Sequence, residues 1–176
     1  GTYIVMRSVG VKRAIIGVED NKPDAIAALT AAAGKYQGIE VMPLKSSYPQ
    51  GYEKAIIKAT LGREVPPGAL PFSVGVVVVN VGTAAAISDR FTTGLPLIKR
   101  YVTVSGEAVS RPATVEAYIG TYASELVELC GGVKGELGKA IFGGPMMGVA
   151  VPSLDFPITK GTSGIVLLGR QQALFW

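Results

Sequence analysis

The chain has 176 residues, enough for one large domain or two small ones. Its 17 Lys and Arg against 13 Asp and Glu give a net charge of +4. The basic side chains (Lys12, Arg13, Lys54, Lys58, Arg63, Lys99, Arg100, Arg111) are dispersed and not interleaved with aromatics, which argues against nucleic-acid binding. With no histidine and the single cysteine Cys130, the sequence cannot build a Cys/His zinc site, a Ser-His-Asp triad, a Cys-His dyad or a four-cysteine iron–sulfur cluster. No catalytic residue and no metal site is expected, and any redox chemistry has to come from a bound organic cofactor.

Apolar residues make up 48% of the chain. Even so, no uncharged apolar run approaches the roughly 20 residues that span a bilayer. The longest, Val74 to Ile87, contains Asn80 and Thr83. The N-terminus lacks the basic region, apolar core and cleavage site of a secretory signal. A cytoplasmic chain with no direct membrane span is expected.

In chain order, Tyr3–Met6 reads as the last turns of a helix. Arg13–Val18 reads as a short buried strand. The acidic and Asx residues Glu19–Asn21 and a first-turn proline, Pro23, then start a helix over Asp24–Ala33, closed by Gly34. Ile39–Leu44 is a second strand, Ser46–Gly51 a loop, and Tyr52–Leu61 a helix ended by Gly62. Glu64–Pro71, with three prolines, is a connector. The run Val74–Val79 predicts a parallel strand covered on both faces, passing through Asn80 into a helix over Val81–Phe91. Strand–helix alternation of this kind implies an α/β layer with a parallel sheet.

The texture changes after Gly94, and a domain boundary is expected near Leu95, giving domains 1–95 and 96–176. Leu97–Ser105 and Ala113–Tyr118 read as strands, Tyr122–Cys130 as a helix ended by Gly131-Gly132. Lys139–Phe142 and Ile158–Leu168 read as further strands around the glycine-rich Gly143–Gly148 loop. Two strands, a helix, then more strands is the order of a small β-grasp domain. Cys130 is expected to pack as a small apolar residue.

Two strand-end turns could carry chemistry. In Tyr48-Pro49-Gln50-Gly51-Tyr52-Glu53-Lys54, unpaired amides collect where a strand runs into a helix, as they do at ligand sites of open α/β sheets. Gly51 allows close backbone approach, a tyrosine can flank a ring, and Glu53 can accept hydrogen bonds from a sugar or an amide. The plainer account is an ordinary helix start with an acid in its first turn. In Val78-Val79-Asn80-Val81-Gly82-Thr83, Asn80 can cap the next helix while its amide reaches a crevice, with Thr83 one turn along; a plain cap and a buried threonine are the alternative. Glu19, Asp20 and Asn21 form a third such turn, which could bind a ribose or serve only as helix-start acids. The loops Gly143–Gly148 and Gly161–Gly164 fit neither phosphate-binding glycine pattern, and turn geometry accounts for them.

The segments Ile15–Ile26, Tyr48–Lys54, Gly62–Gly68, Val74–Ile87, Gly143–Gly148 and Lys160–Leu168 occur in the order found in the RnfC family, peripheral members of the Rnf ion-translocating ferredoxin:NAD⁺ oxidoreductases. The chain resembles that family over Val11–Leu168 and, more distantly, the NADH-binding flavoprotein subunit of respiratory complex I. The resemblance implies a partial Rossmann-like FMN/NADH domain followed by a β-grasp SLBB domain. It also implies that Tyr48, Gly51 and Glu53 lie against flavin and nicotinamide, and that Asn80 and Thr83 hydrogen-bond the flavin. Tyr52 stands where the complex I relatives carry an acid, so no role passes to it.

In that family FMN and NADH exchange electrons with 4Fe-4S clusters, and the protein sits at the cytoplasmic face of a membrane complex with its partner subunits. The family's phosphate-wrapping glycine loop lies upstream of Gly1 and its cluster cysteines lie downstream. The expectation is therefore a fragment with half a flavin pocket, inactive alone and holding no cofactor tightly. The rival expectation is a non-enzymatic SLBB-type module that binds a ligand or partner.

Overall fold

A computed structural model describes residues 1–174. The chain divides into two compact units, Gly1–Gly94 and Leu95–Trp176.

In the first unit α1 (Thr2–Val9) ends at Gly10, whose left-handed conformation (φ 72°) stops the helix. β1 (Ala14–Glu19), α2 (Pro23–Ala33) and β2 (Ile39–Leu44) form a strand–helix–strand unit with β1 and β2 parallel, from Ala14 opposite Ile39 to Glu19 opposite Leu44. Pro23 fits the first turn of α2 because the missing N–H has no helical partner there anyway. Gly34 caps α2 while keeping a right-handed conformation. The left-handed position falls at Gly38 (φ 84°), where a side chain would run into the Lys12 carbonyl. That close approach lets the Ala14 amide donate to the Gly38 carbonyl at 2.8 Å and start the sheet.

α3 (Glu53–Leu61) packs on β1, where Gly17 makes room: a Cβ there would lie 2.8 Å from both Ile56 Cδ1 and Leu44 Cδ1. Met6, Ala33, Leu44 and Ile57 are the buried apolar residues of this unit.

The expected strand Val74–Val79 does not form. Pro71–Val74 is a short 3₁₀ turn closed by Gly75 (φ 70°), and residues 76–80 have no regular secondary structure and no ladder partner. Two of the backbone groups that a ladder would use are taken locally. The Val76 amide donates to the Pro71 carbonyl at 3.2 Å, and Arg63 Nη1 donates to the Val74 carbonyl at 2.7 Å. A strand buried on both faces also needs cover, yet Val77 and Val78 are exposed. The following helix, α4 (Val81–Thr93), forms as expected and ends at Gly94 (φ 74°).

The second unit is a mixed five-stranded sheet in the order β4-β3-β7-β5-β6, built from β3 (Lys99–Ser105), β4 (Ala113–Tyr118), β5 (Leu137–Phe142), β6 (Val149–Val151) and β7 (Gly164–Gly169). β3 and β7 pair in parallel and the remaining neighbours are antiparallel. α5 (Ala123–Leu129) is the helix of this unit, followed at the end of β7 by the single turn α6 (Arg170–Ala173). Glu125 accepts a hydrogen bond from the Tyr122 amide at 3.0 Å, which fixes the first turn of α5.

Alternation along β3 sends Val102 and Val104 into a core shared with Leu126, Ile158, Ile165, Leu167 and the buried Cys130. The expected strand Ile158–Leu168 is shorter than its apolar pattern. Thr159 and Thr162 close a side-chain turn, with the Thr159 amide donating to Thr162 Oγ1 at 3.0 Å, so pairing starts at Gly164.

Candidate functional site

β1 and β2 end side by side, with Glu19 opposite Leu44. Beyond them the chain makes two corners on one edge of the parallel pair: residues 20–22 into α2, and residues 45–52 into α3. In the first corner Lys22 Nζ donates to Glu19 Oε2 at 2.7 Å and to Asn21 Oδ1 at 2.9 Å. Two of the three polar groups that could have met a ribose are thereby engaged locally.

The third reaches across to the second corner. The Asp20 amide donates to the Leu44 carbonyl at 2.8 Å, and Asp20 Oδ1 accepts from the Ser46 amide at 3.0 Å and from Ser46 Oγ at 2.8 Å. The Ser46 hydroxyl and amide hold the Asp20 carboxyl below the ordinary carboxylate value, and the Lys45 charge acts in the same direction. Because the folded value is the depressed one, the stability this contact contributes is present above the unfolded value of about 3.9. It is lost as the pH falls through the folded value. A carboxyl-carbon NMR titration should find Asp20 ionising below about 3.9, and Ser46→Ala should move it back up. An Asp20 that titrates at the ordinary value in the unmodified protein would contradict the contact.

The second corner is a tight turn in which the Gln50 amide donates to the Ser47 carbonyl and the Tyr52 amide to the Pro49 carbonyl, each at 2.8 Å. The Tyr48–Pro49 peptide is cis. Tyr48 is 67% exposed. A Cβ at Gly51 would meet nothing within 4 Å, so protein packing does not demand glycine there and the backbone stands open. Glu53 is half-buried at the first position of α3, next to amides that the helix itself leaves unpaired. Among the described residues its carboxylate has neither a hydrogen bond nor an ion pair.

Asn80 is the N-cap of α4, its Oδ1 accepting from the Gly82 amide at 2.9 Å. The capping reading of Asn80 thus holds, and it leaves the side-chain NH₂ uncommitted. Thr83 is exposed in the first turn of α4, not buried. Among the described residues no hydrogen bond, ion pair or ring contact joins Asn80 or Thr83 to Tyr48, Gly51 or Glu53. The chain between α3 and Asn80 is anchored to α3 and to the turn just after it, however. Lys54 Nζ donates to the Pro66 carbonyl at 3.1 Å, Lys58 pairs with Glu64, and Arg63 holds the Val74 carbonyl. Among the described residues no group of His, Cys, Asp or Glu could hold a metal ion.

The Asp20–Ser46 contact has only a faint sequence signal, an acid just after one strand and a serine two residues after the next. The parallel register makes them neighbours, and register is not written in either strand's pattern.

The parallel strand–helix unit and the mixed five-stranded sheet with its helix define a chain that joins an α/β unit to a β-grasp unit. Residues 1–89 match the family model of the Nuo51 FMN-binding domain and residues 101–150 that of the SLBB domain; the chain belongs to the Nuo51 FMN-binding domain family. It is 53% identical, over 98% of its length, to the C component of the Na(+)-translocating ferredoxin:NAD(+) oxidoreductase complex of Acetobacterium woodii, covering 39% of that protein. It is 48% identical, over 97% of its length, to the C component of the proton-translocating ferredoxin:NAD(+) oxidoreductase complex of Clostridium ljungdahlii, covering 37% of it. With the C component of the ion-translocating oxidoreductase complex of Pseudomonas aeruginosa the identity is 42% over 96% of the chain and 22% of the relative.

The chain therefore spans well under half the length of these relatives, and the resemblance drawn from its motifs holds. Among solved structures, an NAD+-reducing [NiFe]-hydrogenase in the air-oxidized state aligns with a TM-score of 0.75 at 21% identity. That alignment covers 97% of this chain and 35% of the hydrogenase chain, and it establishes likeness of fold.

Proposed function

We propose that this chain supplies the flavin- and nicotinamide-facing corners of a protein that exchanges electrons between NAD(H), FMN and iron–sulfur clusters within an ion-translocating ferredoxin:NAD⁺ oxidoreductase. The names of its relatives and of its family support the assignment. The observation that carries it is the unengaged Glu53 carboxylate beside the open Gly51 backbone and the exposed Tyr48 ring. A half-buried acid without a protein partner keeps its carboxylate oxygens open to water or a ligand, and acceptors of this kind suit ribose hydroxyls or a carboxamide.

These residues fit the cofactors. Tyr48 offers ring area, Gly51 lets a flat ring approach the main chain, and Glu53 accepts hydrogen bonds from NAD(H). Asn80, through the NH₂ its cap leaves free, and Thr83 hydrogen-bond the polar edge of the flavin. When bound, FMN supplies the link between two-electron hydride chemistry and single-electron transfer. With Cys130 as its sole cysteine, this chain provides no ligand set for a 4Fe-4S cluster, so the clusters belong to other parts of the full-length protein.

The division of labour falls near Leu95: residues 1–95 serve flavin and NADH, and residues 96–176 form a β-grasp module that meets partner subunits. The described residues include no helix long and apolar enough to cross a membrane, in keeping with a peripheral protein held at the cytoplasmic face by its partners.

In the full-length protein, Glu53→Ala should raise the KM for NADH roughly tenfold, the loss of about one charge-assisted hydrogen bond, with little change in unfolding midpoint. Unchanged KM and unchanged flavin affinity would defeat the redox reading and leave the SLBB-type binding module in its place.

A further inference from the structure

We propose that Asp20 is the positioning residue of the corner that carries Tyr48, Gly51 and Glu53: it clasps the backbone on both sides of Lys45 and so sets the path of the loop into α3. The inference rests on the functional reading above and adds to it a residue that touches neither cofactor nor substrate. Three hydrogen bonds make the clasp. The Asp20 amide donates to the Leu44 carbonyl, and one carboxylate oxygen accepts from both the amide and the hydroxyl of Ser46.

The first of these bonds continues the β1–β2 ladder by one residue past Glu19 and Leu44. The other two lie beyond the ladder, where nothing else in the sheet directs the chain. Ser46 is two residues from Tyr48 and five from Gly51. Past Ser46 the corner is held by its own internal turns, so its orientation is inherited from the point where it is tied down.

Asp20 is also available for this task because its neighbours are spoken for. Lys22 is paired with Glu19 and Asn21, leaving the Asp20 carboxylate to the serine. A single acceptor oxygen that satisfies both a main-chain and a side-chain donor of the same residue fixes position and rotation together. A flexible loop tied only through its ends would leave both open.

The experiment uses the full-length protein, with hydrogen exchange of the peptide spanning residues 45–52 and the NADH and FMN affinities as separate readouts. Asp20→Ala should speed exchange in that peptide and weaken NADH or FMN binding roughly tenfold, as expected when a binding group is misplaced by a fraction of an ångström to an ångström. Asp20→Asn keeps an acceptor oxygen and should restore both. If Asp20→Ala leaves exchange of residues 45–52 unchanged, the clasp does not hold the loop and the inference falls.

If exchange rises while both affinities stay at the unmodified level, and Glu53→Ala still weakens NADH, the corner binds the cofactors without Asp20 and the inference alone falls. If neither Glu53→Ala nor Asp20→Ala alters either affinity, the functional reading itself has failed.

Discussion

Gly106→Ala should destabilise the β-grasp unit by about 2–5 kcal/mol, the sum of backbone strain and overpacking at one position. Gly106 follows the last residue of β3 with φ 108°, a conformation that side chains disfavour. A Cβ there would press on the Leu167 carbonyl and lie 2.7 Å from the Leu167 nitrogen. Leu167 belongs to β7, the middle strand of the sheet, its side chain is fully buried, and its carbonyl receives the Ala108 amide at 3.1 Å. The added methyl therefore meets backbone, which cannot step aside as a flexible side chain would.

Gly132 is the internal control. Its φ of 79° carries a similar backbone penalty, but a Cβ there meets nothing within 4 Å. Gly132→Ala should accordingly cost only about 1–2 kcal/mol. Urea unfolding followed by circular dichroism measures both variants. Equal losses would mean that the contact with Leu167 contributes nothing and that β7 does not run where described.

What the sequence disclosed was what local chemistry controls. Pro23 and the small residues after it marked α2 to within a residue, and Ala113–Tyr118 was found at both ends because Pro112 and Gly120 bracket it. The alternation of Leu97–Ser105 marked a half-exposed strand, and β3 forms over Lys99–Ser105 with Val102 and Val104 buried. What it withheld was pairing. Val74–Val79 has the composition of a covered central strand, yet composition states a preference for burial and a ladder needs a neighbour. Arg63 takes the Val74 carbonyl and Pro71 the Val76 amide instead. The insertion of β7 between β3 and β5 was likewise invisible, since strand order depends on which faces meet and not on any one strand's pattern.

The site divides the same way. Asn80 was legible as a cap because an N-cap is a local motif, and it does accept from the Gly82 amide. The strand-to-helix turn itself points to Tyr48, Gly51 and Glu53 as ligand-facing groups, and only the resemblance ties them to flavin and nicotinamide. Asp20, proposed to tie their corner down, reads locally as a helix-start acid or a ribose contact, because its partner lies 26 positions away.

Ile57→Ala should lower the stability of the first unit by about 2–5 kcal/mol, a large share of the total for a small, marginally stable body. Ile57 is 1% exposed on α3, and the only other buried apolar residues described in its unit are Met6, Ala33 and Leu44. With so little core, the cavity left by three missing carbon atoms has few neighbours able to collapse into it. The position also bears on the site. Ile57 follows Glu53 by four residues and so lies on the same side of α3, one turn along. Removing its anchor frees the helix that presents the carboxylate. Ile57→Val, which trims one methyl group, should cost only about 0.5–1.5 kcal/mol and leave Glu53 in place. Equilibrium unfolding and hydrogen exchange along α3 should therefore rank Ala far below Val. An alanine variant that unfolds within about 1 kcal/mol of the unmodified chain would mean that α3 is not seated on β1, and a loose α3 could not hold Glu53 against any ligand.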